Sequence, residues 1–185
     1  MSECGIFRQK KGSGAPVFFL HCLGLDHRIW DGVIDRLPDQ IAAGMMDIRG
    51  HGASAVSGDR FGMGALVADA ERAMAQLDMH DAVVVGLSVG GLIAQGLAVK
   101  RLDLVRGLVL ANTAAKFGQA GLWEDRADAV LNDGMAAVSE VTLERWQSRD
   151  ADIADWLERC DPVGYAGVCR AIAGTDFYTP TSGLR

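Results

Sequence analysis

The stretch AVVVGLSVGGLIAQGLAVK, Ala82–Lys100, decides the fold. Its first six residues are apolar with no alternation, the pattern of a strand buried on both faces. The residues from Val89 onward suit a helix, and the switch falls inside Gly86-Leu87-Ser88-Val89-Gly90. A glycine-x-serine-x-glycine pattern says little alone, but between a buried strand and a helix it has a physical meaning. The two glycines let strand and helix approach closely around a sharp turn, and that turn lifts the Ser88 hydroxyl above the sheet. The helix offers unpaired N–H groups and the positive end of its dipole, which suit a developing oxyanion. The rival reading, a phosphate-binding turn, lacks the G-x-G-x-x-G spacing, and no Gly-Lys-Ser/Thr follows. Ser88 is the candidate nucleophile.

The flanking segments repeat the rhythm. Before the elbow lie VFFLH (Val17–His21) and IAAGMMDIRG (Ile41–Gly50), two buried strands, and after it comes GLVLAN (Gly107–Asn112). Helical spacing runs over Arg28–Leu37, and again over Gly64–Leu77, where Leu66, Val67, Ala70, Met74 and Leu77 recur at three and four. Strands alternating with helices predict an α/β chain with a mostly parallel sheet. Residues 3–8 suggest a short edge strand before the turn-rich KKGSGAP. From Gly121 to Ala173 only helical signals remain, which predicts a helical insert set on the sheet. The tail TPTSGLR reads as turn. The expected division is a core over 1–118, a helical cap over 119–175 and a return toward the core over 176–185.

Composition narrows the classes. The 185 residues are half apolar, enough for one domain with a sizeable core, and the net charge of −6 with no basic block argues against a nucleic-acid binder. Cys4, Cys22, Cys160 and Cys169 form no close CxxC pair. The N-terminus shows no signal-peptide pattern, and no run of 18 apolar residues suggests a membrane span. A cytoplasmic protein acting on a small molecule fits these features, and a homo-oligomer is compatible with them. The loop Asp47-Ile48-Arg49-Gly50-His51-Gly52 holds an acid, a base and a histidine, but its spacing suits no zinc site and reads as a braced tight turn. His21 invites a role as a base, yet its place reads better as a brace for its own loop.

The resemblance then becomes specific. HCLGLDHRIWD, DIRGHGAS, GLSVGGLIAQGLAV and VLANTAAKFG resemble the α/β-hydrolases. GLWEDRADAVLNDGM, LERW and DPVGYAGVCRAIAGTDF narrow the likeness to the 3-oxoadipate enol-lactonases, over nearly the whole chain. The resemblance implies a cofactor-free, metal-free hydrolase with a helical cap. It cleaves the enol-lactone of 3-oxoadipate through a serine acyl-enzyme, late in the breakdown of aromatic compounds. It places Ser88 as nucleophile and the Val89 N–H in the oxyanion hole, with Leu23 as the second backbone donor and Cys22 as the alternative. The carboxylate of such a substrate calls for a cation under the cap, for which Arg126 and Arg145 are the candidates, beside Trp123 and Trp146.

Two departures matter. The fold's chain order is Ser, then Asp, then His. Here His21, His27, His51 and His80 all precede Ser88, and no histidine follows it. Family members also run longer, so the chain is expected to be C-terminally incomplete and a poor or inactive catalyst alone, with the triad acid and histidine outside it. Asp176 superficially resembles the acid-bearing strand end, but GYAGVCRAIAG before it matches a cap helix, which argues against that role. The alternatives are another α/β-hydrolase, a carboxylesterase or C–C bond hydrolase, or an incomplete fragment that acts only as a binding module.

Overall fold

A computed structural model describes residues 5–56 and 58–184. Five strands form one sheet: β1 (Arg8–Lys11), β2 (Ala15–Leu20), β3 (Ile41–Met46), β4 (Ala82–Leu87) and β5 (Val105–Ala111). Their order is β1-β3-β2-β4-β5, with β1 antiparallel to β3 and every other pair parallel. Phe18, Leu20, Met45, Met46 and Val84 are fully buried, as continuous apolar strands require.

The helices of the core are α1 (Asp31–Ile34), entered through a short 3₁₀ turn at His27–Trp30, α2 (Met63–Gln76) and α3 (Val89–Lys100). The α2 helix buries the stripe Leu66, Val67, Ala70, Ala73 and Met74. By contrast α3 is apolar on all sides, and Leu92, Ile93 and Leu97 are fully buried. Four helices follow: α4 (Ala120–Asp133), α5 (Ala136–Trp146), α6 (Ala151–Glu158) and α7 (Pro162–Ala173), then the single turn α8 (Tyr178–Thr181). Asp150 caps α6. Asp161 caps α7 by accepting from the N–H groups of Val163 and Gly164, with Pro162 in the first turn.

Two expectations are corrected. The first strand is Arg8–Lys11, which meets the expected 3–8 only at Arg8 and takes in Lys10 and Lys11 of the stretch read as turn. It pairs Arg8 with Met46 and Lys11 with Ala43 through its backbone, so a polar sequence gave no apolar signal. Residues 3 and 4 of the expected strand lie outside the described residues. In the tail read as turn, Thr179–Thr181 belong to α8.

The sheet order positions the site. From β2 the chain crosses to β3 on one side, and from β4 to β5 on the other. The carboxyl ends of β2 and β4 therefore lie side by side at a switch point, where α/β sheets leave a crevice. Ser88 and the loop His21–Asp26 both emerge there.

Candidate active site

Ser88 stands between β4 and α3 with φ 55° and ψ −118°. That positive φ is costly for a residue with a side chain. The surroundings hold it: the Ser88 N–H donates to Ala111 O at 2.9 Å, and Thr113 Oγ1 donates to Ser88 O at 2.8 Å. Gly86 and Gly90 allow the close approach. A Cβ at Gly86 would run into the backbone of Gly90 and Gly91, and a Cβ at Gly90 into that of Leu20 and His21. Val89 N–H, at the head of α3, and Leu23 N–H, in the loop after β2, meet no protein acceptor among the described residues. Both remain available to a ligand oxygen.

A cavity of about 720 Å³ opens above Ser88. Leu23, Cys22, Leu25, Ile29 and Leu87 line its floor and near wall. The roof comes from the helical layer, with Trp123 on α4, Thr142, Arg145 and Trp146 on α5, Ile153 on α6 and Tyr165 on α7. The structure thus brings Ser88, Leu23, Cys22, Trp123, Trp146 and Arg145 to one space. Arg126 does not line it. Its Nε donates to Tyr165 Oη at 2.8 Å and its Nη2 to Thr142 Oγ1 at 2.5 Å, so it stands behind the wall. Arg145 faces the cavity with no carboxylate partner among the described residues. Tyr165, Thr142 and Asn112 also line the cavity, and sequence reading did not single them out. Thr142 precedes Arg145 by three residues, a helical neighbour spacing that could have flagged it.

The loops below are braced by polar groups. His21 is fully buried: its Nδ1 lies 2.8 Å from Cys22 O, and its Nε2 accepts from Ile48 N–H at 2.8 Å. Both nitrogens are engaged, and burial pushes its pKa down, so it is a neutral brace. Burial also lowers His51, to about 3. His51 Nδ1 lies 3.2 Å from Arg49 O, and its Nε2 is buried with no partner. His27 stacks on Phe7 and meets Asp47 at 2.7 Å. Burial opposes its protonation, but the Asp47 hydrogen bond and charge outweigh this and raise its pKa. His80 is exposed beside Asp78. No histidine bonds Ser88 among the described residues.

Asp26, His27 and Asp47 lie within 4.8 Å of one another, close enough to share a cation. Each is already engaged. Asp26 takes Arg28 in a two-pronged pair at 2.9 and 2.6 Å. Asp47 accepts from His27 twice and from Ala53 N–H. The three side chains thus already hold hydrogen bonds, His27 with Asp47, Asp47 with Ala53 and Asp26 with Arg28. Burial pushes the Cys22 thiol up to about 12, so it stays protonated at neutral pH. Asp176 pairs with Lys116 at 3.0 Å and caps Tyr178. It is absent from the lining of the Ser88 cavity.

A family profile described as alpha/beta hydrolase fold matches residues 15–152. The chain belongs to the α/β-hydrolases. It is 29% identical over 169 residues to 3-oxoadipate enol-lactonase 2 of Acinetobacter baylyi, covering 86% of this chain and 63% of the relative. The same bacterium's 3-oxoadipate enol-lactonase 1 is 31% identical over equal shares. A pimeloyl-[acyl-carrier protein] methyl ester esterase of Chromobacterium violaceum is 34% identical over 148 residues, 76% of this chain and 55% of that protein. Among solved structures, the enol-lactonase of Burkholderia xenovorans LB400 superposes with a TM-score of 0.85 at 28% identity, over 92% of this chain and 71% of that one. The chain spans less than two thirds of the length of these curated relatives. Among the described residues, no helix of this α/β-hydrolase is long and apolar enough to cross a membrane.

Proposed function

We propose that the chain carries the nucleophile and the substrate cavity of a serine hydrolase for a small carboxylate-bearing lactone, with 3-oxoadipate enol-lactone as the favoured substrate. The observation that carries this reading is Ser88 at φ 55° beneath a cavity whose roof presents the unpaired Arg145. Similarity to two enol-lactonases supports the substrate class.

In this reading Ser88 Oγ attacks the lactone carbonyl carbon. The Val89 N–H and the Leu23 N–H, or that of Cys22, hold the oxygen as it gains charge, with the α3 dipole behind them. The ring oxygen leaves as an enolate that picks up a proton and becomes a ketone. Water then cleaves the acyl-enzyme ester, freeing Ser88 and the second carboxylate. Arg145 binds the carboxylate the substrate already carries, and Trp123 and Trp146 cover its apolar body. The proton of Ser88 passes to a base other than the chain's four histidines, of which His21, the nearest in the loop topology, has both nitrogens engaged.

A carboxylesterase is the second reading, favoured by the 34% identity to a methyl ester esterase. The nucleophile is tested by treating the protein with a fluorophosphonate and mapping the adduct by peptide mass. The adduct is expected on Ser88 alone, forming slowly, and it should vanish in Ser88→Ala. Labelling elsewhere with Ser88 untouched would overturn the assignment. Faster turnover of the enol-lactone than of simple methyl esters separates the two substrate readings.

A further inference from the structure

Three polar side chains meet on one wall of the cavity: Tyr165, Thr142 and Arg145. Their hydrogen-bond capacity differs. Thr142 Oγ1 donates to Val138 O at 2.6 Å and accepts from Arg126, so its proton is used. Tyr165 Oη only accepts, from Arg126 Nε at 2.8 Å. Its own proton has no acceptor among the described residues, although the residue is 1% exposed. A buried hydroxyl that keeps an unused proton beside a cavity is poised for an acceptor that arrives with a ligand.

The ring has little freedom. It stacks on His51 with centroids 6.4 Å apart, and its edge lies 3.1 Å from where a Cβ on Gly24 would stand. The wall is also electropositive. Arg126 stands behind the hydroxyl and Arg145 one helical turn from Thr142, and neither has a carboxylate partner among the described residues. Burial keeps the phenol protonated through the working pH range, so it remains a donor.

We infer that Tyr165 is a specificity-determining residue, whose hydroxyl, held by Arg126, donates a hydrogen bond to the carboxylate of the bound substrate alongside Arg145. This rests on the carboxylate-binding reading of the cavity. Arg126 is then a positioning residue: it fills the oxygen's acceptor role and turns the proton toward the cavity. A neutral donor backed by charge prefers an anionic acceptor to an uncharged one.

The test uses adipate as the anionic probe and adipamide as its uncharged counterpart, titrated calorimetrically. The wild-type chain is expected to prefer adipate. Tyr165→Phe should weaken adipate binding by about ten-fold or more, the loss expected for one hydrogen bond to a charged group, and leave adipamide unchanged. A second measurement does not depend on that variant folding. The chain has two tyrosines, and Tyr178 is exposed. In a Tyr178→Phe background, uniform 3-fluorotyrosine places one fluorine probe on Tyr165. Adipate should shift its resonance and adipamide should not. If Arg145→Gln abolishes the adipate preference while Tyr165→Phe keeps it and the fluorine signal stays still, the inference falls and the carboxylate reading stands. If the wild type binds both probes alike, or neither, both fall together.

Discussion

At Ser88 four neighbours share the burden of one strained residue. The backbone bonds to Ala111 and Thr113 hold the positive φ, while Gly86 and Gly90 clear the space. Gly90→Ala puts a methyl against the backbone of β2, where no flexible side chain can yield. It should destabilise by roughly 1–3 kcal/mol. At about 2–4 °C per kcal/mol for a chain of this size, a thermal melt should fall by several degrees. A melt at the wild-type temperature would show that strand and helix are not in contact there. Ser88 was legible in the sequence because strand, elbow and helix are contiguous. Tyr165 was not, since its hydroxyl gains meaning only when α7 packs against Arg126 on α4. Arg126 and Arg145 looked alike as cations near tryptophans, and only packing puts one behind the wall and the other on it.

Among the elements, the two edges of the sheet contrast. At one edge β1 reads RQKK, and its cations discourage pairing with another chain. At the other β5 pairs with β4 alone among the described strands, and Val109 and Leu110, on opposite faces, are 50% and 44% exposed. An apolar, half-paired parallel strand is a template for association. Light scattering across a concentration series should show mean mass rising above 19.7 kDa, and Val109→Lys should hold it near that value. A monomeric wild type at all concentrations would remove this edge from consideration. The same contrast shows what patterning reveals. The bounds of β4 follow from an unbroken apolar run, Ala82–Leu87, whereas β1 is hidden because its pairing is made by backbone bonds alone.

For the whole molecule, the buried histidines set a pH optimum of stability. His21 and His51 are held neutral, so below about pH 6.5 the unfolded chain binds protons that the folded one does not. Stability then falls with acidity, by at most about 1.4 kcal/mol per pH unit for each group. His27 works in the opposite sense. Its pKa is raised in the folded state, so its contribution is full below about 6.5 and is lost as pH rises through the folded value. Asp47 is held below the usual carboxylate range: burial works against this, but the His27 bond prevails, and its contribution fades only in strong acid. Urea denaturation should therefore give greatest stability near pH 6.5, and His51→Gln should flatten the acid limb by about half. An acid limb unchanged in that variant would mean that His51 titrates normally. Little of this was legible in the sequence beyond the expectations that DIRGHG is a braced turn and that His21 braces its own loop, because burial on both sides of His21 and His51 arises from β2, β3 and α7 together.

One contact joins the helical layer to the sheet with no side chain between. Gly50, at φ 73°, and Gly164, in the first turn of α7, meet backbone to backbone, and a Cβ on either would strike the other's main chain. Most packed pairs can trade volume: one residue grows and its neighbour shrinks. This pair has nothing left to remove, so no partner substitution rescues an added methyl. The first methyl must part the two chains, and the second then enters a gap already opened. Gly50→Ala and Gly164→Ala should each cost about 1–3 kcal/mol, while the double variant costs clearly less than their sum. Strict additivity in a double-mutant cycle by urea denaturation would mean that the two backbones do not touch. If the cycle behaves as expected, the roof of the cavity is fastened to its floor at a point that evolution can abandon but cannot redecorate.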